Sequence, residues 1–483
     1  MSKKKTITKN YIYNLTYQIL VLILPLITAP YVSRVLGAEN IGIYSYTISI
    51  ATYFILFGSL GVALYGQRQI AYEQKKGKKL SKTFWEIVIL RFITMAISMI
   101  IFYFIFVNGK QYQVYYKILL LELLANCLDI SWFFQGLEEF KKTVTRNIIV
   151  KLISVICIFT FVKTSSDLKI YFWIYVLSTL IGNLSLWAYL PKYLRKIKVK
   201  QLNIVQHIKP TIGLFIPQIA IQVYTVLDKT MIGAIISDKS EVGFYEQSQK
   251  IIKMLLTVIT SLGTVMLPRI ANTFASGDKE KVTNYMKRSF NMVFLLAFPM
   301  IFGVIAVSKS FVPVFFGQGY DKVAILMSVI SPILLLIGLS NVTGTQYLLP
   351  TKRQKEYTTS VVFGAIVNFI MNAILIGKFG AIGASIGTVL AELTVTLIQI
   401  YFVRKDFNFK EVFKISKNYL ISSILMLMVC LFAGKFINNN LISTIVQVAV
   451  GGMTYGICLL ILKDTFVYEV LGKMKNKISG RKN

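Results

Sequence analysis

Residues 210–253, PTIGLFIPQIAIQVYTVLDKTMIGAIISDKSEVGFYEQSQKIIK, form two apolar segments joined by a short polar turn, and both segments carry charge. Read as a helix, the first places Gln218, Gln222, Thr225 and Lys229 at i, i+4, i+7 and i+11, one polar stripe on an apolar cylinder, with Asp228 beside it. The second repeats the spacing with Glu246, Lys250, Lys253 and Thr257. Each segment is long enough to cross a bilayer, where a charge at the centre of a helix costs about 2.5–3.5 kcal/mol on insertion scales. Such residues face a partner, a bundle interior or a water-filled cavity. Pairing of Asp228 with a lysine and of Glu246 with Lys250 is one reading. Three lysines against two acids leave a cationic surplus, and an anionic ligand that balances it is the other.

The rest of the chain is of the same kind. Its 483 residues are 55% hydrophobic and 15% charged, with a mean hydropathy of +0.63, too apolar for a soluble protein of this size. Fourteen stretches reach spanning length, beginning with 11–33 and 43–65 and ending with 418–436 and 442–462. The expected fold is an all-α polytopic membrane protein of about 14 transmembrane helices. A net charge of +32 would suggest nucleic acid in a soluble chain. Here the charge follows the bilayer: with the N-terminus inside, the tails and even-numbered loops hold 38 Lys/Arg and the odd-numbered loops nine, Lys239 and Arg34 among them. That bias is the positive-inside signature, so nucleic acid is not an expected partner and both termini are expected in the cytoplasm. The run after MSKKKTITKN is of full spanning length with no cleavage signal, and is expected to remain as the first helix.

Cys127, Cys157, Cys430 and Cys458 all fall within spans, with neither metal-ligand spacing nor a disulfide framework. His207, the single histidine, lies in a basic loop, a weak basis for histidine chemistry. No phosphate-binding loop G-x-x-x-x-G-K-[ST] occurs, and no long outward loop carries an acid/base cluster. A catalyst is therefore disfavoured, no cofactor is expected, and a proton or sodium gradient is the remaining energy source.

In the first span, Asn14 and Gln18 share a face, and Pro25 and Pro30 are expected to interrupt the helix ahead of Arg34. Arg34 is the single arginine among the nine outward basic residues; it either snorkels at the interface or supplies a bidentate phosphate contact at a cavity mouth. Further on, Arg91, Thr94 and Ser98 share a face, as do Glu122, Asn126 and Asp129, and Asn147, Lys151 and Ser154. The alternating directions place Arg91, Asp129 and Lys151 at similar depth, which suggests an interhelical ion-pair triad. FGAIGASIGTVLAE at 379–392 spaces Gly380, Gly383 and Gly387 for close helix contact and ends on the intramembrane carboxylate Glu392. Asp129, Asp228 and Glu392 are the candidates for ion coupling.

IGIYSYTISI at 41–50 and VGFYEQSQKI at 242–251 echo one another at an offset of 201 residues, and TLIGNL at 179–184 pairs with TVLAEL at 388–393. An even number of spans per copy implies parallel repeats related by an axis along the membrane normal. The expected organisation is an N-terminal lobe at 1–190, a basic linker at 191–211 and a C-terminal lobe at 212–403. A second linker at 404–417, an appended pair of spans at 418–462 and a basic tail at 463–483 complete it.

KKKTITKNYIYNLTYQILVLILPLITAPYVSRVLGAENIGIYSY, LDKTMIGAIISDKSEVGFYEQSQKI and FGAIGASIGTVLAE resemble the Wzx-type polysaccharide flippases of the multidrug, oligosaccharidyl-lipid and polysaccharide exporter superfamily. The resemblance implies a V-shaped pair of lobes that opens alternately to either face of a bacterial cytoplasmic membrane. It also implies a cationic cavity and a substrate, an undecaprenyl-diphosphate-linked oligosaccharide for capsular or exopolysaccharide synthesis. The partners implied are the bilayer, that lipid and the glycosyltransferases and polymerase of the same pathway. The arginine of SRVLG is Arg34 and the lysine of LDK is Lys229; Arg91, Lys151, Lys250, Lys253, Gln218 and Gln222 join them from their stripes. A drug/cation antiporter on the same fold, which would need an anionic cavity, and a polytopic envelope enzyme are the other classes.

Overall fold

A computed structural model describes residues 3–74, 76–109, 111–469 and 472. The side chains of Asn14, Gln18 and Gln218 lie outside those described. The first element, α1 (Lys3–Ser59), runs through Pro25 and Pro30 and breaks instead at Gly37, whose φ of 78° and ψ of 169° are not helical. The sequence expectation put the interruption at the prolines. A proline removes one amide donor and the helix continues past it, whereas a left-handed residue redirects the chain.

Among the described residues every regular element is a helix. The first compact unit, Met1–Gly243, holds α1, α2 (Val62–Glu73), α3 (Lys78–Phe102), α4 (Gln113–Cys127), α5 (Ser131–Gly136), α6 (Phe140–Phe161), α7 (Leu168–Trp187) and α8 (Ile208–Ile235). The second unit, Phe244–Asn483, holds most of α9 (Ser240–Ala275) and then α10 (Lys279–Phe316), α11 (Asp321–Ile330), α12 (Ile333–Ser340) and α13 (Gln354–Phe379). It ends with α14 (Ala381–Val403), α15 (Phe409–Lys435) and α16 (Asn440–Ile461). Twelve helices among the described residues are long and apolar enough to cross a membrane. One of them, Ile23–Glu73, takes in parts of both of the first two expected stretches, with the break at Gly37 between them, and α8 supplies a further 28-residue apolar helix at the seventh.

Polar side chains bind the helices of each unit, as expected where the surrounding lipid is as apolar as leucine. In the first unit the stripe on α3 faces α1: Thr94 Oγ1 donates to the Gly58 carbonyl at 2.6 Å and Ser98 Oγ to that of Phe54 at 2.7 Å. A cluster of Phe84, Trp132, Phe133, Phe134 and Ile87 fills the space between α3 and α5. In the second unit Gly383 and Gly387 bring α14 against α13, where a Cβ on Gly383 would lie 2.4 Å from the Leu375 carbonyl oxygen. Gly380 does not pack in this way; with a φ of 58° it makes the turn between the two helices. The appended pair α15 and α16 is not devoid of polarity. Gln447 accepts from Ser310 Oγ of α10 at 2.9 Å and donates to the Cys430 carbonyl at 3.1 Å, which clasps the pair to the unit.

Candidate functional site

The structure places a polar cleft of about 330 Å³ inside the first unit. Leu24, Pro25 and Thr28 of α1 form one wall, Arg146, Asn147, Lys151 and Ser154 of α6 the second, and Tyr171, Tyr175, Ser178 and Thr179 of α7 the third.

Its shape is set at the turn between α6 and α7. Asp167 accepts hydrogen bonds from the backbone amides of Lys163 at 2.9 Å and Thr164 at 2.8 Å, and from Thr164 Oγ1 at 3.0 Å, and with Thr164 it forms the capping box of the 3-10 turn Ser165–Asp167 that leads into α7. The two amides, Lys163 first, hold the exposed Asp167 carboxyl below its ordinary value. Tyr31 Oη of α1 donates to the Val162 carbonyl at 2.7 Å, and Asn40 Nδ2 to that of Ser165 at 2.8 Å, so α1 is fastened to the same turn. At the other end, Arg146 donates to Asn183 Oδ1 at 2.7 Å and lies 4.0 Å from the Asp129 carboxylate. Asn183 in turn donates to the Ala125 carbonyl at 2.7 Å, which ties α6 and α7 to α4. The aromatic wall is backed by Tyr44, whose ring centroid is 4.8 Å from that of Tyr171.

Lys151 is half-buried on this cleft and has no ion pair among the described residues. The expected triad of Arg91, Asp129 and Lys151 is therefore not what forms. The fourth expected span breaks between α4 and α5, and Arg91, 4% exposed, donates to the Asp129 carbonyl at 2.9 Å and, at 2.6 Å, to the Asn126 carbonyl, which also accepts from the Asp129 amide at 3.2 Å. The Asp129 carboxylate accepts from the amide and hydroxyl of Ser131 at 2.9 and 2.6 Å and has Arg146 as its cation. Glu122 and Asn126 do share a face, with Asn126 Nδ2 donating to Glu122 Oε1 at 2.9 Å.

The other candidates divide between the units. Arg34 is exposed on α1, Gln222 is exposed on α8, Lys229 is half-buried and Asp228 is 6% exposed, all in the first unit. Lys250, half-buried and donating to Gln247 Oε1 at 3.3 Å, and Lys253, exposed, belong to the second, as does Glu392, 8% exposed on α14. Arg146 and the tyrosines of the cleft are the residues that periodicity missed. Arg146 stands at the mouth of its span, where a loop charge is expected, and tyrosine in an apolar run reads as packing. Among the described residues no group of three or more His, Cys, Asp or Glu is arranged to hold a metal ion.

The sequence matches the family described as polysaccharide biosynthesis protein over residues 7–274 and the family described as lipid II flippase MurJ over residues 143–450. A protein of Escherichia coli (strain K12) named as an O-antigen transporter is 26% identical over 412 residues, which are 84% of this chain and 98% of that one. Among solved structures, the lipid II flippase MurJ in an inward closed conformation superposes with a TM-score of 0.74 at 16% identity, covering 95% of this chain and 100% of its own. An inward-facing multidrug resistance transporter of the MATE family does so with a TM-score of 0.63 at 10% identity, covering 79% and 94%. At such identities the two structures establish the shared fold.

Proposed function

We propose that this chain, which belongs to the polysaccharide biosynthesis protein family within the multidrug, oligosaccharidyl-lipid and polysaccharide exporter superfamily, is a flippase that carries a lipid-linked glycan across the membrane. The families it matches are flippases and transporters, and the chain is a transporter rather than a catalyst. One observation carries the reading of the site. In a membrane-spanning helix, where an ammonium is costly, Lys151 stands on a cleft lined by hydroxyls and tyrosines and has no carboxylate partner among the described residues. An anionic group suits that place and a cationic drug does not. A diphosphate offers the charge, and the sugars attached to it offer hydroxyls for Ser154, Ser178, Thr179 and the tyrosine rings. We assign the same kind of contact to Arg34, Lys229, Lys250 and Lys253. The carrier lipid is an undecaprenyl diphosphate, and the glycan is a repeat unit of a capsular or exopolysaccharide.

The test uses binding and export together. Lys151→Ala removes a ligand contact and relieves a buried charge, so the protein should accumulate in the membrane as the parent does while surface glycan is lost. Purified protein should then bind a prenyl-diphosphate glycan more weakly than the parent by an amount that Lys151→Arg restores in part, because the guanidinium keeps the charge and changes the geometry. Normal binding and normal export in Lys151→Ala would sink the assignment.

The distribution of basic residues supports both termini in the cytoplasm, with the turn between α8 and α9 outside. A periplasmic-type reporter fused after Lys239 should be active and one fused after Lys200 silent; the opposite pattern overturns this topology.

A further inference from the structure

Lys281, Asn284, Tyr285, Arg288 and Asn291 lie on one face of the first turns of α10, at spacings of three and four, and line a pocket of about 620 Å³ in the second unit. Lys287 borders it on the same helix, and Phe466 and Glu469 close the opposite side. That opposite side is held in place by the fold. Past the end of α16, Lys463 turns the chain with a φ of 50°, and Asp464, 4% exposed, accepts from the Val467 amide at 3.1 Å and from Tyr419 Oη of α15 at 3.0 Å. Residues 465–469 are thereby pinned as a helical stretch beside α10, and Arg288 Nη2 donates to Glu469 Oε1 at 3.0 Å across the gap.

The depth of the pocket follows from helix length. α10 has 38 residues, and the stretch from Met292 to Phe316 is by itself enough to cross about 30 Å of hydrocarbon. The turns before it stand at headgroup level, where Tyr285 and Phe466 suit the interface. The lining carries Lys281, Lys287 and Arg288 against Glu469, and cations still prevail when Glu411 of α15, 2.9 Å from Lys287, is added. Both ion pairs are exposed and worth little, and a guanidinium that holds one carboxylate has donors left for a phosphate. Lys281 is exposed and has no ion pair among the described residues. Asn291 Oδ1 is buried and has no hydrogen-bond donor in reach among the described residues, so it calls for a hydroxyl from outside the protein.

We propose that this pocket holds the headgroup of a resident anionic phospholipid of the phosphatidylglycerol type, its phosphodiester on Lys281, Lys287 and Arg288 and a hydroxyl of its glycerol on Asn291 Oδ1. Basic pockets between membrane helices on the cytoplasmic side are where such headgroups bind, and the topology given above puts the start of α10 and the end of α16 on that side. The sequence past residue 469 adds Lys473, Lys475, Lys477, Arg481 and Lys482, a juxtamembrane basic run of the kind an anionic leaflet attracts. A zwitterionic lipid lacks the net charge, and phosphatidic acid has the charge without the hydroxyls. The pocket belongs to the second unit and the cleft of Lys151 to the first, so this binding is independent of what the chain carries.

The experiment uses the full chain, delipidated in detergent, and counts bound lipid by native mass spectrometry as phosphatidylglycerol, phosphatidylcholine or phosphatidic acid is added. A first phosphatidylglycerol should bind ahead of the rest, with phosphatidylcholine about tenfold weaker. Lys281→Glu, at an exposed position that leaves the fold alone, should lower phosphatidylglycerol affinity on the order of tenfold, whereas Glu469→Gln, which removes the acid of the lining, should raise it about fivefold. Unchanged affinity in either variant overturns the site. Asn291→Leu should erase the preference for phosphatidylglycerol over phosphatidic acid, and a parent without that preference overturns the glycerol contact. Excess inorganic phosphate should leave the lipid bound; displacement by it would mean a site for free phosphate and overturn the lipid. A prenyl-diphosphate glycan should likewise fail to displace the phospholipid, and displacement would reassign the pocket to the cargo.

Discussion

Arg91 and Lys151 are cations in membrane-spanning helices of one compact unit, and the structure uses them in opposite ways. Arg91 is buried and serves the backbone: at the break between α4 and α5 its guanidinium has donors enough to reach two carbonyls at once, those of Asn126 and Asp129. Lys151 answers no need of the protein among the described residues. It stands half-buried on a cleft with hydroxyls and aromatic rings around it. A structural cation is recognised by the acceptors that would be stranded without it, and a ligand-binding cation by its being dispensable to the fold.

The largest effect that this contrast predicts is at Arg91. Arg91→Leu leaves the Asp129 carbonyl without this donor, worth about 1–3 kcal/mol, and takes a charged hydrogen bond from the Asn126 carbonyl, so the loss is on the order of 2–4 kcal/mol of stability. The protein should fall in membrane abundance and unfold at a lower temperature in detergent, and its export should fall only as far as its abundance does. Lys151→Ala should do the reverse, with abundance kept and export lost. Parent-like abundance in Arg91→Leu would erase the distinction between the two residues.

Arg146 sharpens the comparison because it belongs to both sides. It lines the cleft, yet it also holds Asn183 and neighbours the Asp129 carboxylate. Arg146→Ala strands a buried amide oxygen and weakens a charged contact, a loss of about 1–3 kcal/mol. Its melting temperature in detergent should lie between those of the parent and Arg91→Leu. Binding of a prenyl-diphosphate glycan per folded molecule should weaken less than in Lys151→Ala, since Arg146 keeps other work. Stability equal to the parent's would reassign Arg146 to the ligand alone.

These residues also show how far the sequence can be read. Helical spacing correctly put Arg91, Thr94 and Ser98 on one face, Glu122 and Asn126 on another, and found the glycines of α14, because periodicity reports which residues share a side. It could not report what lies opposite. The acceptors of Arg91 are carbonyls, and every residue has one, so nothing in the identity of Asn126 or Asp129 announces that their carbonyls receive it. The same blindness hid Arg146, whose partner Asn183 is 37 residues away, and Gln447, whose partners Ser310 and Cys430 lie on other helices. The prolines of α1 misled for a related reason. Proline is a visible breaker, yet the chain turns at Gly37, where conformation rather than side chain decides.

The smallest expected effect concerns the turn that shapes the cleft. The Asp167 carboxylate accepts from two backbone amides of the turn that precedes α7, which hold its pKa in the folded protein below the value in the unfolded chain. A carboxylate with a depressed folded pKa contributes stability at every pH above its unfolded value, about 3.9, and loses that contribution as pH falls from there through the folded value. Thermal unfolding in detergent should therefore show the parent ahead of Asp167→Asn at pH 7, by a small margin because the group is exposed and screened. The margin should narrow below about pH 4, where protonation makes the parent's side chain neutral like the amide. Prenyl-diphosphate glycan binding should weaken slightly in the same variant at pH 7, because the turn fixes where Tyr171 and Tyr175 stand relative to Lys151. A margin that stays constant down to pH 3 would show that the carboxylate's charge contributes nothing there, and that the turn is held by Tyr31 and Asn40 reaching over from α1.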